Sequence, residues 1–185
     1  MAERPVYIPK YDSDLLVETQ LVEFTWFPGM APSQKQKSVV SLHEAAVELK
    51  LCRRPLEVSS KSTEELGVQL SAFNLSVRTA RHQRAFTVET AFQSSKVFRN
   101  GGPYADLLYG TSAAAKKDPR IRESGDPIRF EFFGQTWDTE PKTAFYDWIY
   151  VNALRKNAWA VEELEEFDAF TDIEFNPARS INCQA

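Results

Sequence analysis

The stretch PKTAFYDWIYVNALRKN, residues 141–157, carries an apolar stripe that only a helix packed against other elements can bury. A proline stands near its start, where a helix tolerates one. The stripe follows the spacing of three and four residues that places side chains on one helix face, at Ala144, Phe145, Trp148, Ile149 and Asn152. Because this stripe needs apolar surface to cover it, the chain is predicted to build a core around it.

Short segments of strand-like alternation occur elsewhere in the chain. Val22, Phe24 and Trp26 alternate within residues 15–27, and a Pro-Gly turn follows. The segment IRFEFF repeats the pattern with Ile128, Phe130 and Phe132. Helical spacing follows Ser41 and Glu44, which stand at the separation of a capping box. The mixture predicts an α+β fold, a single compact, helix-rich domain with a few short strands over residues 1–185.

Composition limits the classes of function. The 185 residues are 43% hydrophobic with a net charge of −4, so any contact with nucleic acid is expected to be local rather than a coating of bulk positive charge. Cys52 and Cys183 lie too far apart in sequence to indicate a zinc site or a disulfide framework. With no signal-peptide pattern and no long apolar run, we expect a soluble cytoplasmic protein.

The common enzyme motifs are absent, which leaves individual spacings to consider. The sequence has no phosphate-binding loop, dinucleotide fingerprint, His-rich metal pattern or Gly-x-Ser-x-Gly elbow. In a predicted helix from Thr87 to Phe98, Glu89, Gln93 and Lys96 recur at i, i+4 and i+7 and share one stripe. Periodicity alone favours an exposed charged face there, and a site is the alternative.

Two lysines in SQKQKS, residues 33–38, offer an amine nucleophile. In an extended segment Lys35 and Lys37 point the same way, and a neighbouring cation together with partial burial lowers the pKa of a lysine. The alternative is a pair of flexible surface lysines.

An acidic run near the C-terminus raises the question of a metal. Asp168, Asp172 and Glu174 have ligand chemistry, but acidic residues after a helix are more often solvated or serve as caps. We expect no metal there.

A family resemblance joins these separate signals. The order LEVSSKS, GVQLSAFN, FTVETAFQSSKVF, YDWIYVNAL, DAFTD and SIN resembles the NADAR family of N-glycosidases, most strongly in ETAFQSSK. The segments FTWFPGMAPSQKQKSVVSLHEAA and VFRNGGPYADLL resemble the branch that serves as antitoxin beside DarT-type DNA ADP-ribosyltransferases. The resemblance implies removal of ADP-ribose from the amino group of guanine in DNA. One departure is that the Trp-Gly-Asp-Gly of the wider family is replaced by FTDIEFNPARSIN.

The resemblance also implies roles for particular residues. Glu89 is expected to transfer protons and Lys35 to attack the opened sugar, with Lys37 and Lys61 as reserve nucleophiles. No metal or cofactor is expected, the implied substrate is ADP-ribosylated DNA, the product is ADP-ribose, and the functional partner is a DarT-type toxin. Sugar, phosphate and base contacts are expected from Ser59, Ser60, Lys61, Phe73, Asn74, Phe92, Gln93, Lys96, Trp148, Asp168, Asp172 and Asn182.

Two other functions fit the same resemblance. Other family members process a ribosylamino-pyrimidine phosphate of the riboflavin pathway, a small substrate that needs no DNA-binding surface. A non-catalytic antitoxin that binds its toxin is the second alternative. For Trp148, whose neighbours at helical spacing are apolar, a place in the core is favoured over a stacking surface.

Overall fold

The computed structural model describes residues 1–11, 14–80 and 83–176 and confirms the α+β class. A 3₁₀ turn spans Ala105–Tyr109. The remaining elements are β1 (Ala2–Pro9), β2 (Val17–Phe24), α1 (Pro32–Glu48), β3 (Pro55–Glu57), α2 (Glu65–Leu70), β4 (Ser76–Arg78), β5 (Ala85–Thr87), α3 (Val88–Ser94), β6 (Lys96–Phe98), α4 (Ser112–Lys117), α5 (Pro119–Glu123), β7 (Pro127–Phe132), β8 (Gln135–Trp137), α6 (Ala144–Arg155), α7 (Ala158–Leu164) and β9 (Ala169–Thr171).

The described residues fall into two compact units. The first contains Met1–Ser71 and the described residues from Trp159 onward, and the second contains Ala72–Ala158. The assignment of residues 1–185 to a single domain stays a prediction.

A four-stranded sheet forms the first unit, in the order β2-β1-β9-β3. β1 runs antiparallel to β2 and β9, whereas β3 pairs with β9 in parallel. Val22 and Phe24 are buried, as the alternation predicts, and pack in one cluster with Val6 and with Val39 and Leu42 of α1. The pairing of β3 with β9 brings the chain after β3 beside the chain after β9.

Helix α1 begins nine residues before the predicted start at Ser41. Pro32 occupies its first turn, where the missing N–H costs nothing. The Ser41 hydroxyl accepts a hydrogen bond from the Thr25 N–H at 3.1 Å instead of capping the helix. Lys35 and Lys37 are therefore helical, and residues two apart in a helix lie about 200° apart around its axis. The prediction that the two lysines point the same way from an extended segment is wrong.

The second unit combines the β4–β5 hairpin, the three-stranded sheet β6-β7-β8 and the aromatic face of α6. The predicted helix in residues 141–157 is confirmed, with Phe145 and Ile149 buried. Phe145 stacks on Phe130 of β7 at 4.7 Å between ring centres. Trp148 is 40% exposed, so the prediction that it lies in the core is wrong.

Helix α3 is shorter than the helix predicted from Thr87 to Phe98. Thr87 and Thr90 form a capping box, in which each side chain bonds the backbone of the other. The helix ends at Ser94, and Lys96 pairs with Phe130 as the first residue of β6. The prediction of a helix to Phe98 is therefore wrong in its last turn, because pairing with β7 outweighs the local helical preference.

Candidate active site

Glu89, Gln93 and Lys96 form a continuous series of hydrogen bonds. The Gln93 amide nitrogen donates to Glu89 Oε1 at 2.9 Å, and Lys96 Nζ donates to Gln93 Oε1, also at 2.9 Å. Gln93 therefore uses both ends of its side chain, which fixes the orientation of its amide. The spacing that predicted one stripe is matched by direct contact, although Lys96 lies beyond the end of the helix.

The Glu89 carboxylate is buried. Glu89 is 6% exposed, so the alternative of a solvated charged face does not hold. Its Oε1 accepts a hydrogen bond from the Gln93 amide. This contact fixes the orientation of the carboxylate, as proton transfer to or from a substrate requires.

Lys96 has the altered acidity expected of a reactive amine. Its pKa is lowered to about 8, mainly by burial; the Glu89 carboxylate acts in the opposite direction, and the positive charge of Lys116 adds to the lowering. Its Nζ lies 4.5 Å from the centre of the Phe92 ring. At pH 7 about a tenth of such amines are neutral, against roughly 1 in 2,500 for a lysine with the ordinary pKa of ~10.4.

Two more of the predicted substrate-binding residues, Phe73 and Asn74, lie in the second unit with Glu89, Gln93 and Lys96. Phe73 lies beneath Lys116, whose Nζ is 4.9 Å from the ring centre. Asn74 follows Phe73 and is exposed. Lys116 was missed in the sequence, because AAAKK at the end of a short helix is typical of a solvated terminus.

The predicted Ser59–Lys61 loop belongs to the first unit and is held by its own hydrogen bonds. Ser59 is fully buried, and its hydroxyl accepts from the Lys61 N–H at 3.1 Å. Lys61 Nζ donates to the Ser60 hydroxyl at 2.6 Å. The following α2 starts with Glu64 and Glu65, whose negative charges disfavour a phosphate at that terminus. Substrate contacts from this loop stay a prediction.

The buried carboxyl group of Glu57 is hydrogen-bonded to the Ser59–Lys61 loop. Its Oε1 accepts from the Ser59 hydroxyl and from the Ile173 N–H at 2.8 Å, and its Oε2 accepts from the Thr171 hydroxyl at 2.7 Å. His43 Nε2 lies 2.9 Å from the same Thr171 oxygen. Burial, together with the negative charge of Asp172, raises the pKa of Glu57 to about 8. Neither Glu57 nor His43 was predicted, since a buried carboxyl has no spacing signature.

The remaining acidic candidates serve as local anchors. The Asp168 carboxylate accepts from the N–H groups of Arg53 and Arg54 at 2.8–3.1 Å. Asp172 Oδ1 accepts from the N–H groups of Glu174 and Phe175. Both carboxylates therefore bind backbone N–H groups, while their substrate contacts stay predictions. Within the described ranges no three His, Cys, Asp or Glu residues are grouped as metal ligands.

Two predicted residues remain. Lys35 lies on α1 with its Nζ 4.2 Å from the centre of the Trp26 ring, a cation–π contact, and its role as nucleophile stays a prediction. Asn182 lies outside the described residues.

The Glu57 network makes a testable contribution to stability. The carboxyl holds a proton up to about pH 8 in the folded protein but loses it near pH ~4.3 when unfolded, so stability falls as pH rises between these values. His43, whose pKa burial lowers to about 4, acts oppositely below pH ~6.5. From pH 6.5 to 8 we expect urea-unfolding stability to decline in the wild type and less in Glu57→Gln.

Glutamine suits this test because it copies the protonated carboxyl. Its oxygen can accept from Ser59 and Ile173, and its amide can donate to the Thr171 hydroxyl. Glu174→Gln, at an exposed position in the same unit, is the control and should follow the wild type. Equal slopes in wild type and Glu57→Gln would contradict the assignment.

Comparison with known proteins identifies the family of this chain. Residues 2–185 match a single family model, described as DarT1-associated NADAR antitoxin. The chain therefore belongs to the DarT1-associated NADAR antitoxin family. Among curated proteins, no similar sequence was found. No helix in the described ranges has the length and apolar character that crossing a membrane requires.

Proposed function

We propose that this protein hydrolyses the N-glycosidic bond between ADP-ribose and the exocyclic amino group of guanine in DNA. It would thereby reverse modification by a DarT-type toxin in the cytoplasm. The observation that carries the proposal is the series Glu89–Gln93–Lys96, in which a buried carboxylate is linked through an amide to an amine of lowered pKa. Family membership supports the antitoxin role.

The reaction asks for a proton donor and a nucleophile. A sugar joined to an amine can ring-open to an imine when an acid protonates the ring oxygen, and Glu89 is the proposed acid. A neutral lysine then adds to C1, the guanine amino group takes a proton and leaves, and a lysine imine remains. Water adds to that imine, the lysine departs, and the ring closes to ADP-ribose.

Lys96 is the proposed amine. It is hydrogen-bonded through Gln93 to Glu89, and its lowered pKa supplies neutral amine near pH 7. The sequence-based choice, Lys35, loses its geometric reason because Lys37 does not point the same way on α1. Mapping of the covalent adduct decides between Lys96 and Lys35.

The direct test is release of free ADP-ribose from an oligonucleotide that carries ADP-ribosyl-guanine. We expect release in the presence of EDTA, since the proposed steps use proton transfer and an amine. No release, together with stable binding to purified DarT-type toxin, would favour a non-catalytic antitoxin instead. Turnover of a ribosylamino-pyrimidine phosphate but not of the oligonucleotide would assign the alternative substrate.

A further inference from the structure

Two adjoining cavities open on the second unit away from the residues assigned above, except for Trp148. One, of about 250 Å³, is lined by the buried residues Phe86 and Ile149 and by the exposed residues Phe133 and Trp148. The other, of about 380 Å³, is polar and includes Asn157. Arg78 and Lys156 line both cavities, so the two are neighbours and together are called here the Phe133 groove.

The charge of the Phe133 groove is opposite to that of the whole chain. The chain carries a net charge of −4, yet the described residues that line the two cavities include Arg78 and Lys156 and no Asp or Glu. Both cationic side chains are exposed. A local basic surface on an acidic protein selects an anionic partner by charge complementarity.

The aromatic edge of the groove includes a bulky residue in a backbone conformation that such residues rarely adopt. Phe133 and Gly134 form the two-residue turn between β7 and β8 with φ of +48° and +79°. Such turns favour Asn or Gly, and a bulky residue at positive φ is strained. Phe133 is nevertheless 64% exposed, beside a Trp148 that is 40% exposed. Two exposed rings beside two cations match a chain that alternates flat bases with phosphates.

We propose that the Phe133 groove binds the single-stranded DNA that flanks the modified guanine. Bases stack on Phe133 and Trp148, and phosphates contact Arg78 and Lys156. The groove and the candidate active site are joined by a short stretch of chain, because Phe86, which lines the groove, precedes Glu89 by three residues. This assignment rests on the proposed function for its substrate, but binding can be measured without catalysis.

The stacking half of the proposal is tested with unmodified DNA. The probe is a fluorescent oligothymidylate of about 12 nucleotides, within the ~4–16 nucleotide range of single-strand binding sites, followed by anisotropy. Phe133→Asn removes the ring and suits the positive φ, so the turn is preserved. We expect Kd to rise about tenfold. Tyr11→Asn, which removes a 92% exposed ring in the other unit, should leave Kd unchanged.

The phosphate half is tested through salt dependence. Lys156→Gln should reduce the slope of log K against log salt by about 0.7, the value for one phosphate on a single strand. Lys117→Gln, which removes an exposed lysine of α4 outside the groove, should keep the wild-type slope. Unchanged Kd in Phe133→Asn and an unchanged slope in Lys156→Gln would overturn the proposal.

Two further outcomes separate this proposal from its neighbours. If Phe133→Asn keeps DNA affinity but loses affinity for purified DarT-type toxin, the groove binds protein and the proposal is overturned. If the wild type releases no ADP-ribose, but Phe133→Asn and Lys156→Gln change oligothymidylate binding as expected, the DNA-binding groove is supported and the proposed hydrolysis is wrong.

Discussion

Glu89→Gln is expected to slow ADP-ribose release about 10²- to 10⁴-fold, the usual contribution of a general acid–base group. The fold should survive, because glutamine is nearly isosteric and can still accept the bond from the Gln93 amide. The helix start is held by the Thr87–Thr90 capping box and does not depend on the carboxylate. The change therefore removes proton transfer while leaving the neighbouring contacts in place.

The measurement is single-turnover release of ADP-ribose from a guanine-modified oligonucleotide, with circular dichroism and thermal unfolding to check the fold. Glu131→Gln is the matched control, since Glu131 is half-buried in the same unit and its ion pair with Arg129 is long, at 3.5 Å. That control should stay within a few-fold of wild type. A Glu89→Gln enzyme with the wild-type rate and pH profile would exclude Glu89 as the acid–base group.

Local sequence signals predicted the elements that depend on local physics. The aromatic stripe of α6 and the alternation of Val22 and Phe24 in β2 are both present, because burial of one face determines each pattern. Glu89 and Gln93 meet as predicted, since both lie within α3, where residues i and i+4 are neighbours.

Other features depend on contacts between distant parts of the chain. The end of α3 is determined by pairing of β6 with β7, more than thirty residues away in sequence, which local helical spacing could not reveal. Ser41 was mistaken for a cap because its real partner, the Thr25 N–H, lies directly after β2, sixteen residues earlier in the sequence. Pro32 was the available signal for the start of α1.

Acidity was the least predictable property. Lys35 and Lys37 were predicted to include an amine of lowered pKa because they are close in sequence. Lys96, in β6, instead has its pKa lowered by burial and by the charge of Lys116 in α4. Glu57 likewise owes its raised pKa to burial and to the negative charge of Asp172, over a hundred residues later in the sequence. Sequence spacing identifies which groups share an element, but desolvation requires the packed structure.

Lys96→Arg is expected to abolish the covalent route, because a guanidinium stays protonated and cannot attack the opened sugar. The substitution retains the positive charge near Glu89 and a donor for the Gln93 oxygen, so loss of activity would reflect loss of the nucleophile. In the wild type, the neutral amine increases as pH rises toward about 8, so kcat/KM should increase with pH and level off above that value. The variant should lose this ascending limb.

Borohydride added during turnover provides the decisive measurement. Reduction converts the lysine imine into a stable secondary amine, and mass spectrometry of the digested protein locates the ADP-ribosyl mass on one peptide. We expect the adduct at Lys96, with none in Lys96→Arg and a wild-type yield in Lys142→Arg, an exposed lysine of the same unit. An adduct at Lys35 would restore the sequence-based nucleophile. Full activity in both Lys96→Arg and Lys35→Arg, with no adduct on the wild type, would replace covalent catalysis by direct attack of a water molecule activated by Glu89.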